Sequence, residues 1–407
     1  MKKKLYIPIV FTLLLLSGCT EQNSAKEENI QESIMSEAKL GERLFFDANL
    51  SLHQNMSCST CHNPEHAFID ARFHENLSDP THGALSIGSD DLALGGRNTP
   101  SAAYAAFAPE FGLYDGEYKG GQFHDGRALD LRAQAKGPFL DTAEMMMPDM
   151  QSVVDKVREN SEYVTAMQEL YGENILDTNV SEAYDKIAQS IAKFEKSEEF
   201  APFDSKYDRF IACKASGKGE GFCYEDGNWS IEEQAGYALF FSNNNTNCAS
   251  CHTLNSSSEA SSHEMFSNYK FENIATPRNF EALQARDGNT DKRDQGLGGF
   301  LDDAAHYGKI KVPTLRNVAV TAPYMSNGVF INLRTVLEFY DHLGVGNRPN
   351  NPETNLPWDE TDYNTTVNHT LLQQTKELTD AKIDSLEAFL GTLTDKRYEH
   401  LIENGDE

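Results

Sequence analysis

The motif Cys-x-x-Cys-His occurs twice in this chain, as Cys58-Ser59-Thr60-Cys61-His62 and as Cys248-Ala249-Ser250-Cys251-His252. Each copy follows a Gly-x-x-Leu-Phe-Phe segment, Gly41 to Phe46 before the first and Gly236 to Phe241 before the second. The same order recurs, with the cysteine motifs 190 residues apart, which predicts an internal duplication and two related domains in a chain of 407 residues. Chemistry explains the motif: two thiols three positions apart can add to the two vinyl groups of one haem, and the adjacent imidazole then reaches the iron. A zinc site needs four ligands closed around each metal, and a thioredoxin-like pair needs a βαβ context and no histidine there. The reading is therefore two covalently bound c-type haems, one on Cys58, Cys61 and His62 and the other on Cys248, Cys251 and His252.

Lys2, Lys3 and Lys4 precede the apolar stretch Leu5 to Leu16, which is too short to span a bilayer comfortably and reads as a signal peptide over residues 1–18. Leu16-Ser17-Gly18-Cys19 resembles a bacterial lipobox. Cys19 is thus expected to carry lipid, with residues 19–35 as a polar tether and the protein periplasmic and membrane-anchored; an ordinary signal peptide with an incidental cysteine is the alternative. Removing residues 1–18 takes away three lysines and no acids, leaving 32 basic against 63 acidic residues and a charge of −31. Such acidity excludes a nucleic-acid partner, because phosphate binding needs a basic face.

The periodicity between the motifs is helical. Ala183, Ile187, Ile191 and Phe194 share one face, as do Ile383, Leu386, Phe389, Leu390 and Leu393, and Ser230 with Glu233 forms a capping box ahead of the second motif. Strand patterns are scarce apart from Ile310 to Val312, while Leu77 to Pro100 and Leu254 to Gly299 read as polar loops. The expected fold is mainly α with little β: an N-terminal haem domain over 36–200, a linker over 201–229, a C-terminal haem domain over 230–396 and a tail over 397–407. Cys213 and Cys223 fall in the linker, where an oxidising compartment favours a disulfide.

Several segments occur in order at matching spacings along nearly the whole mature chain: Cys61-His62-Asn63-Pro64, Arg97-Asn98-Thr99-Pro100, Asp125-Gly126-Arg127-Ala128, Gln134 to Pro138, Glu144-Met145 and Val312 to Asn317. With them the chain resembles the bacterial dihaem cytochrome c peroxidases and the related MauG-type oxidases. The resemblance implies that the N-terminal haem is the peroxide site. It places a Gln and a Glu ten and twenty residues after the position preceding Asp-Gly-Arg, which are Gln134 and Glu144, with Pro138 bordering the pocket. A carboxylate to move a proton between peroxide oxygens and a neutral donor to hold the peroxide suit that chemistry. The family also places a calcium ion between the domains, held here by Asn98 and by the carbonyls of Thr321 and Pro323.

Three departures qualify the resemblance. Classical peroxidases carry a distal His after Ser-Ile-Gly, whereas Ser86-Ile87-Gly88 is followed by Ser89, so the peroxide haem is expected to be open without prior reduction; His74 and His82 lie in the same loop as substitutes. The second haem's outer ligand, a Met in peroxidases and a Tyr in the MauG type, falls on Tyr340 by position, with Met325 as the other candidate. The aromatic before Asp-Gly-Arg, often a Trp between the haems, is His124, and the two tryptophans, Trp229 and Trp358, lie elsewhere.

The leading expectation is a peroxidase that reduces hydrogen peroxide to water with electrons from a small donor protein such as a c-type cytochrome or cupredoxin. A MauG-like oxidase of a protein or small organic substrate is the rival, and a non-catalytic electron-transfer protein the third reading. A homodimer is left open.

Overall fold

The computed structural model describes residues 35–72, 83–254 and 263–403. The expectations for the signal peptide, for Cys19 and nearly all of the tether, and for His74 and His82 lie outside the described residues.

The first helix, Glu37–Phe45, starts where the Ser36 hydroxyl accepts from the Lys39 N–H and buries Leu40, Gly41, Leu44 and Phe45. Its partner is the helix Val180–Phe194, capped by Asn179, whose buried stripe includes Ala183, Ile187, Ile191 and Phe194. Gly41 makes the crossing possible, because a Cβ there would lie 1.8 Å from the Ser190 carbonyl oxygen. The same device recurs in the second half. The helix Ile231–Phe240 begins at the Ser230–Glu233 capping box and packs on the helix Asp380–Gly391, with a Gly236 Cβ meeting the Ser385 carbonyl oxygen at 1.8 Å. In both halves the serine stands 149 residues after the glycine.

Two hydrophobic cores result. Phe45, Phe68, Phe194 and Phe200 centre the first, and Tyr207, Phe240, Phe266 and Phe389 the second. Among the described residues, strands are confined to two antiparallel pairs, Gly112–Tyr114 with Glu117–Lys119 and Phe271–Glu272 with Ile310–Lys311, and a β-bridge from Lys119 to Lys270 connects the halves. The architecture is thus mostly helical, and residues from 35 onward form one compact unit.

The stretch 201–229, expected as a linker, is instead two helices, Lys206–Ala215 and Glu220–Asp226, closed by a Cys213–Cys223 disulfide. Tyr207, Phe210, Cys223 and Trp229 bury it in the second core. The expected loop after Leu254 likewise holds the helices Phe280–Asp287 and Gly296–Leu301. Only Ala282 of Phe280–Asp287 is buried, so no apolar stripe marks it in the sequence. The tail returns to the first half: Tyr398 is buried, and its hydroxyl donates to the Pro64 carbonyl at 2.7 Å.

Gly41→Ala is expected to force the first helix pair apart and lower the unfolding free energy by about 3 kcal/mol. Urea denaturation of the holoprotein measures it, and an unchanged midpoint would contradict the close approach.

Candidate active site

The first motif forms a short helix, Cys58–Cys61, opened by Ser57, and His62 ends it. His62 Nδ1 lies 3.0 Å from the Phe68 carbonyl oxygen. A carbonyl only accepts, so Nδ1 carries the proton and Nε2 keeps its lone pair for a metal. The carbonyl points there because Phe68 adopts the left-handed backbone, φ 56°, a strained choice for a bulky residue that its fully buried ring holds in place. The second motif repeats the arrangement: His252 Nδ1 donates to the Phe266 carbonyl at 2.9 Å, and Phe266 has φ 52° with a fully buried ring. Burial holds both histidines neutral, lowering His252 to about 4.

None of the four motif cysteines is disulfide-bonded. Burial pushes Cys61 and Cys251 up to about 12 and raises Cys58 and Cys248. Among the described residues no cluster of three His, Cys, Asp or Glu is arranged to hold a metal ion. The donor set therefore fits thioether attachment of a haem rather than zinc. Beside Cys61 and His62 opens a cavity of about 970 Å³.

Gln134, Pro138 and Glu144 line that cavity together with His62. Asp130 caps the helix Leu131–Ala135 that carries Gln134, and Pro138 sits in the first turn of the next helix, Gly137–Leu140. The chain then folds back, with Met145 N–H on the Pro138 carbonyl at 3.1 Å and Met147 N–H on that of Phe139 at 2.8 Å, which sets Glu144 in the wall. Burial, reinforced by the negative charge of Asp141 and opposed by Arg127, raises Glu144 to about 7. Ser89, at the position of the missing distal histidine, is committed elsewhere: its hydroxyl donates to Asn55 Oδ1 at 2.8 Å and contacts His53, while its N–H holds the Glu144 carbonyl at 2.8 Å.

The cavity reaches the second half. Arg97 joins the two, bonding Asp125 at 2.7 Å and Asp294 at 2.6 and 2.7 Å. His124 also lines the cavity; its Nε2 donates to the Asn98 carbonyl at 2.9 Å, and burial with the nearby Arg97 charge lowers it to about 4. His124 is thus a neutral, hydrogen-bonding residue. Asn98 N–H in turn holds the Ser326 carbonyl at 2.9 Å, three residues beyond Pro323, so the segments of Asn98, Thr321 and Pro323 meet at one seam.

At the second motif, Tyr340 on the helix Leu333–Leu343 is brought beside Cys251 and Cys248, and burial raises its pKa. Met325 packs on the same core in a left-handed backbone, φ 71°.

Sequence reasoning assigned no role to Arg97 or Asp294, and it missed Glu195. Glu195 is buried at the cavity wall, its Oε2 has no hydrogen-bond partner, and desolvation raises it to about 8. It follows Phe194 at a helix end, where a buried acid and an exposed one read alike.

Comparison with known proteins agrees with this geometry. The di-haem cytochrome c peroxidase family profile matches residues 35–216. The methylamine utilization protein MauG of Paracoccus denitrificans is 41% identical over 372 residues, 90% of each chain. Cytochrome c551 peroxidase of Pseudomonas aeruginosa is 26% identical over 309 residues, 76% of this chain and 72% of that one. The crystal structure of the diheme peroxidase BthA from Burkholderia thailandensis matches with a TM-score of 0.75 at 28% identity, covering 91% of this chain and 88% of that one. With paired thiols, a neutral histidine and a carboxyl-lined cavity matched to relatives along nearly its whole length, the chain belongs to the di-haem cytochrome c peroxidase family.

Proposed function

We propose that the protein reduces hydrogen peroxide to two waters at the His62 pocket, using two electrons that arrive through the His252 pocket. The observation that carries this reading is the placement of Gln134 and Glu144 on the wall of the cavity that His62 faces, with Glu144 poised near neutrality. Cys58, Cys61 and His62 would hold one haem, and Cys248, Cys251, His252 and Tyr340 the other. A haem bound there would supply the electrons and the Lewis acidity for O–O cleavage. Gln134 donates a hydrogen bond that orients the peroxide. Glu144, as carboxylate, takes the proton from the inner peroxide oxygen and returns it to the outer one, which leaves as water. His124 and the Arg97 ion pairs keep the two halves in register.

A MauG-like oxidase acting on a protein or organic substrate is the second reading. Ser89, turned toward Asn55 and His53, and Tyr340 beside the second thiol pair favour it. A cavity lined with proton-transfer groups supports turnover over electron transfer alone. We also propose that the halves arose by duplication, supported by the matched glycine–serine crossings, and that the protein is exported and lipid-anchored at Cys19. A basic donor cytochrome or cupredoxin suits the charge of −31 that remains once residues 1–18 are removed.

With a reduced basic c-type cytochrome as donor, peroxide turnover is expected to rise as pH passes through about 7, because only ionised Glu144 accepts the proton. Glu144→Gln should lower kcat/KM for peroxide by about 100-fold or more and flatten that rise, and added salt should slow the wild type. Unchanged turnover in the variant would refute the proton shuttle. Tyr340→Met is expected to raise the reduction potential of the C-terminal haem, since a thioether is the softer ligand; an unaltered potential and electron paramagnetic resonance (EPR) spectrum would transfer the ligand role to Met325. For the seam of Asn98, Thr321 and Pro323 we propose calcium, so exhaustive chelation should lower turnover and calcium should restore it. Full activity after chelation would exclude the ion.

A further inference from the structure

We propose that Tyr104 is a redox-active side chain, which gives an electron toward the His62 pocket while its phenolic proton passes to Asp395. The proposal rests on the peroxidase reading above and adds a residue to which that reading assigns no part.

A phenol that loses an electron becomes a strong acid, so a buried tyrosine can be oxidised only if a base waits within hydrogen-bond reach. Tyr104 is 1% exposed and donates to Asp395 Oδ1 at 2.5 Å. Asp395 is fully buried and fixed from two other directions: Asn317 Nδ2 bonds its Oδ2 at 2.8 Å, and its own N–H returns to Asn317 Oδ1 at 2.8 Å. The Phe203 N–H, 3.2 Å from the Tyr104 oxygen, remains to hold that oxygen once the proton has moved. Tyr163 and Tyr171 also donate to carboxylates, but those of Asp47 and Glu37 are only half-buried.

Position supports the same role. On one side the Tyr104 N–H bonds the Phe200 carbonyl at 2.9 Å, Phe200 stacks on Phe68 at 4.1 Å, and the Phe68 carbonyl holds His62. On the other, the Arg316 guanidinium lies 5.4 Å from the Tyr104 ring and 5.7 Å from that of Phe266, whose carbonyl holds His252. Arg316 is locked there by Asp208 at 2.5 and 2.9 Å. Tyr104 is therefore the oxidisable side chain on a continuous chain of contacts between the two proximal histidines. The tryptophans stand off this path, Trp229 against Phe210 and Trp358 against Phe330 and Phe339.

The balance is simple. Peroxide, the oxidant, takes two electrons and two protons to become two waters. Tyr104 supplies one of those electrons, the O–H bond breaks, and the proton forms a new O–H bond on Asp395 Oδ1, leaving a neutral phenoxyl radical. The other electron would come from the haem held by Cys58, Cys61 and His62, and the two protons from solvent. An electron arriving from the His252 side, with return of the Asp395 proton, restores the phenol.

The test mixes the diferric holoprotein with one equivalent of hydrogen peroxide, freezes it within milliseconds and records optical and EPR spectra. We expect a tyrosyl radical that narrows when the protein carries ring-deuterated tyrosine. Tyr104→Phe, which keeps the buried ring, should abolish it, and Asp395→Asn should cut its yield about tenfold, while the haem absorption change with peroxide persists in both. An equal radical yield in Tyr104→Phe, or no tyrosyl signal in a wild type whose haem spectrum does respond, would overturn the proposal. A lower melting temperature in Tyr104→Phe with the radical unaltered would also overturn it, leaving a structural role. No haem response in the wild type would overturn the peroxidase reading itself.

Discussion

A histidine can offer one nitrogen to iron only if the other is tied down in the right tautomer. Here each tie is a backbone carbonyl, that of Phe68 for His62 and that of Phe266 for His252, and each carbonyl is aimed by a phenylalanine in the left-handed region. That conformation costs about 1–2 kcal/mol at a residue with a side chain. The two rings are wholly buried, so the strain is held by the cores themselves. Site and core are thus not separable: a change that loosens Phe68 against Phe200 also lets the carbonyl turn and the imidazole swing.

Between the halves the structure relies on charge placed where water is scarce. Arg97 spans Asp125 and Asp294, Arg316 is clamped by Asp208, and Asp395 is shared by Tyr104 and Asn317. Removing one partner of such a set strands a buried charge, which costs more than the pair contributes while intact. These contacts specify how the halves meet more than they stabilise the assembly. The large negative charge of the chain is a separate matter of its surface and its partners.

Much of this was legible in the sequence, for reasons that can be named. The thiol and histidine spacings, the paired Gly-x-x-Leu-Phe-Phe helices, the buried faces of Val180–Phe194 and Asp380–Gly391, and the short strand at Ile310 all follow from local periodicity or fixed chemistry. What escaped was non-local. The 201–229 stretch is polar enough to read as a linker, yet its few aromatics complete the second core. Glu195, Asp294 and Asp395 are ordinary acids until folding removes their water, and Tyr104 becomes distinctive only when a residue 291 positions away is set against it. Resemblance placed Gln134, Glu144 and Tyr340; the physical reason for their positions, two short helices and a fold-back in one case and a core helix in the other, appears only in three dimensions.

The tail carries a consequence for how the molecule is assembled. Tyr398 bonds the Pro64 carbonyl, two residues past the first histidine, and Asp395 closes on Tyr104 in the same half. The surroundings of the first motif are therefore completed by contacts that span 291 and 334 residues of the chain. Closure around the first motif thus depends on the second half being in place, so a fault far along the chain would be felt at the first pocket.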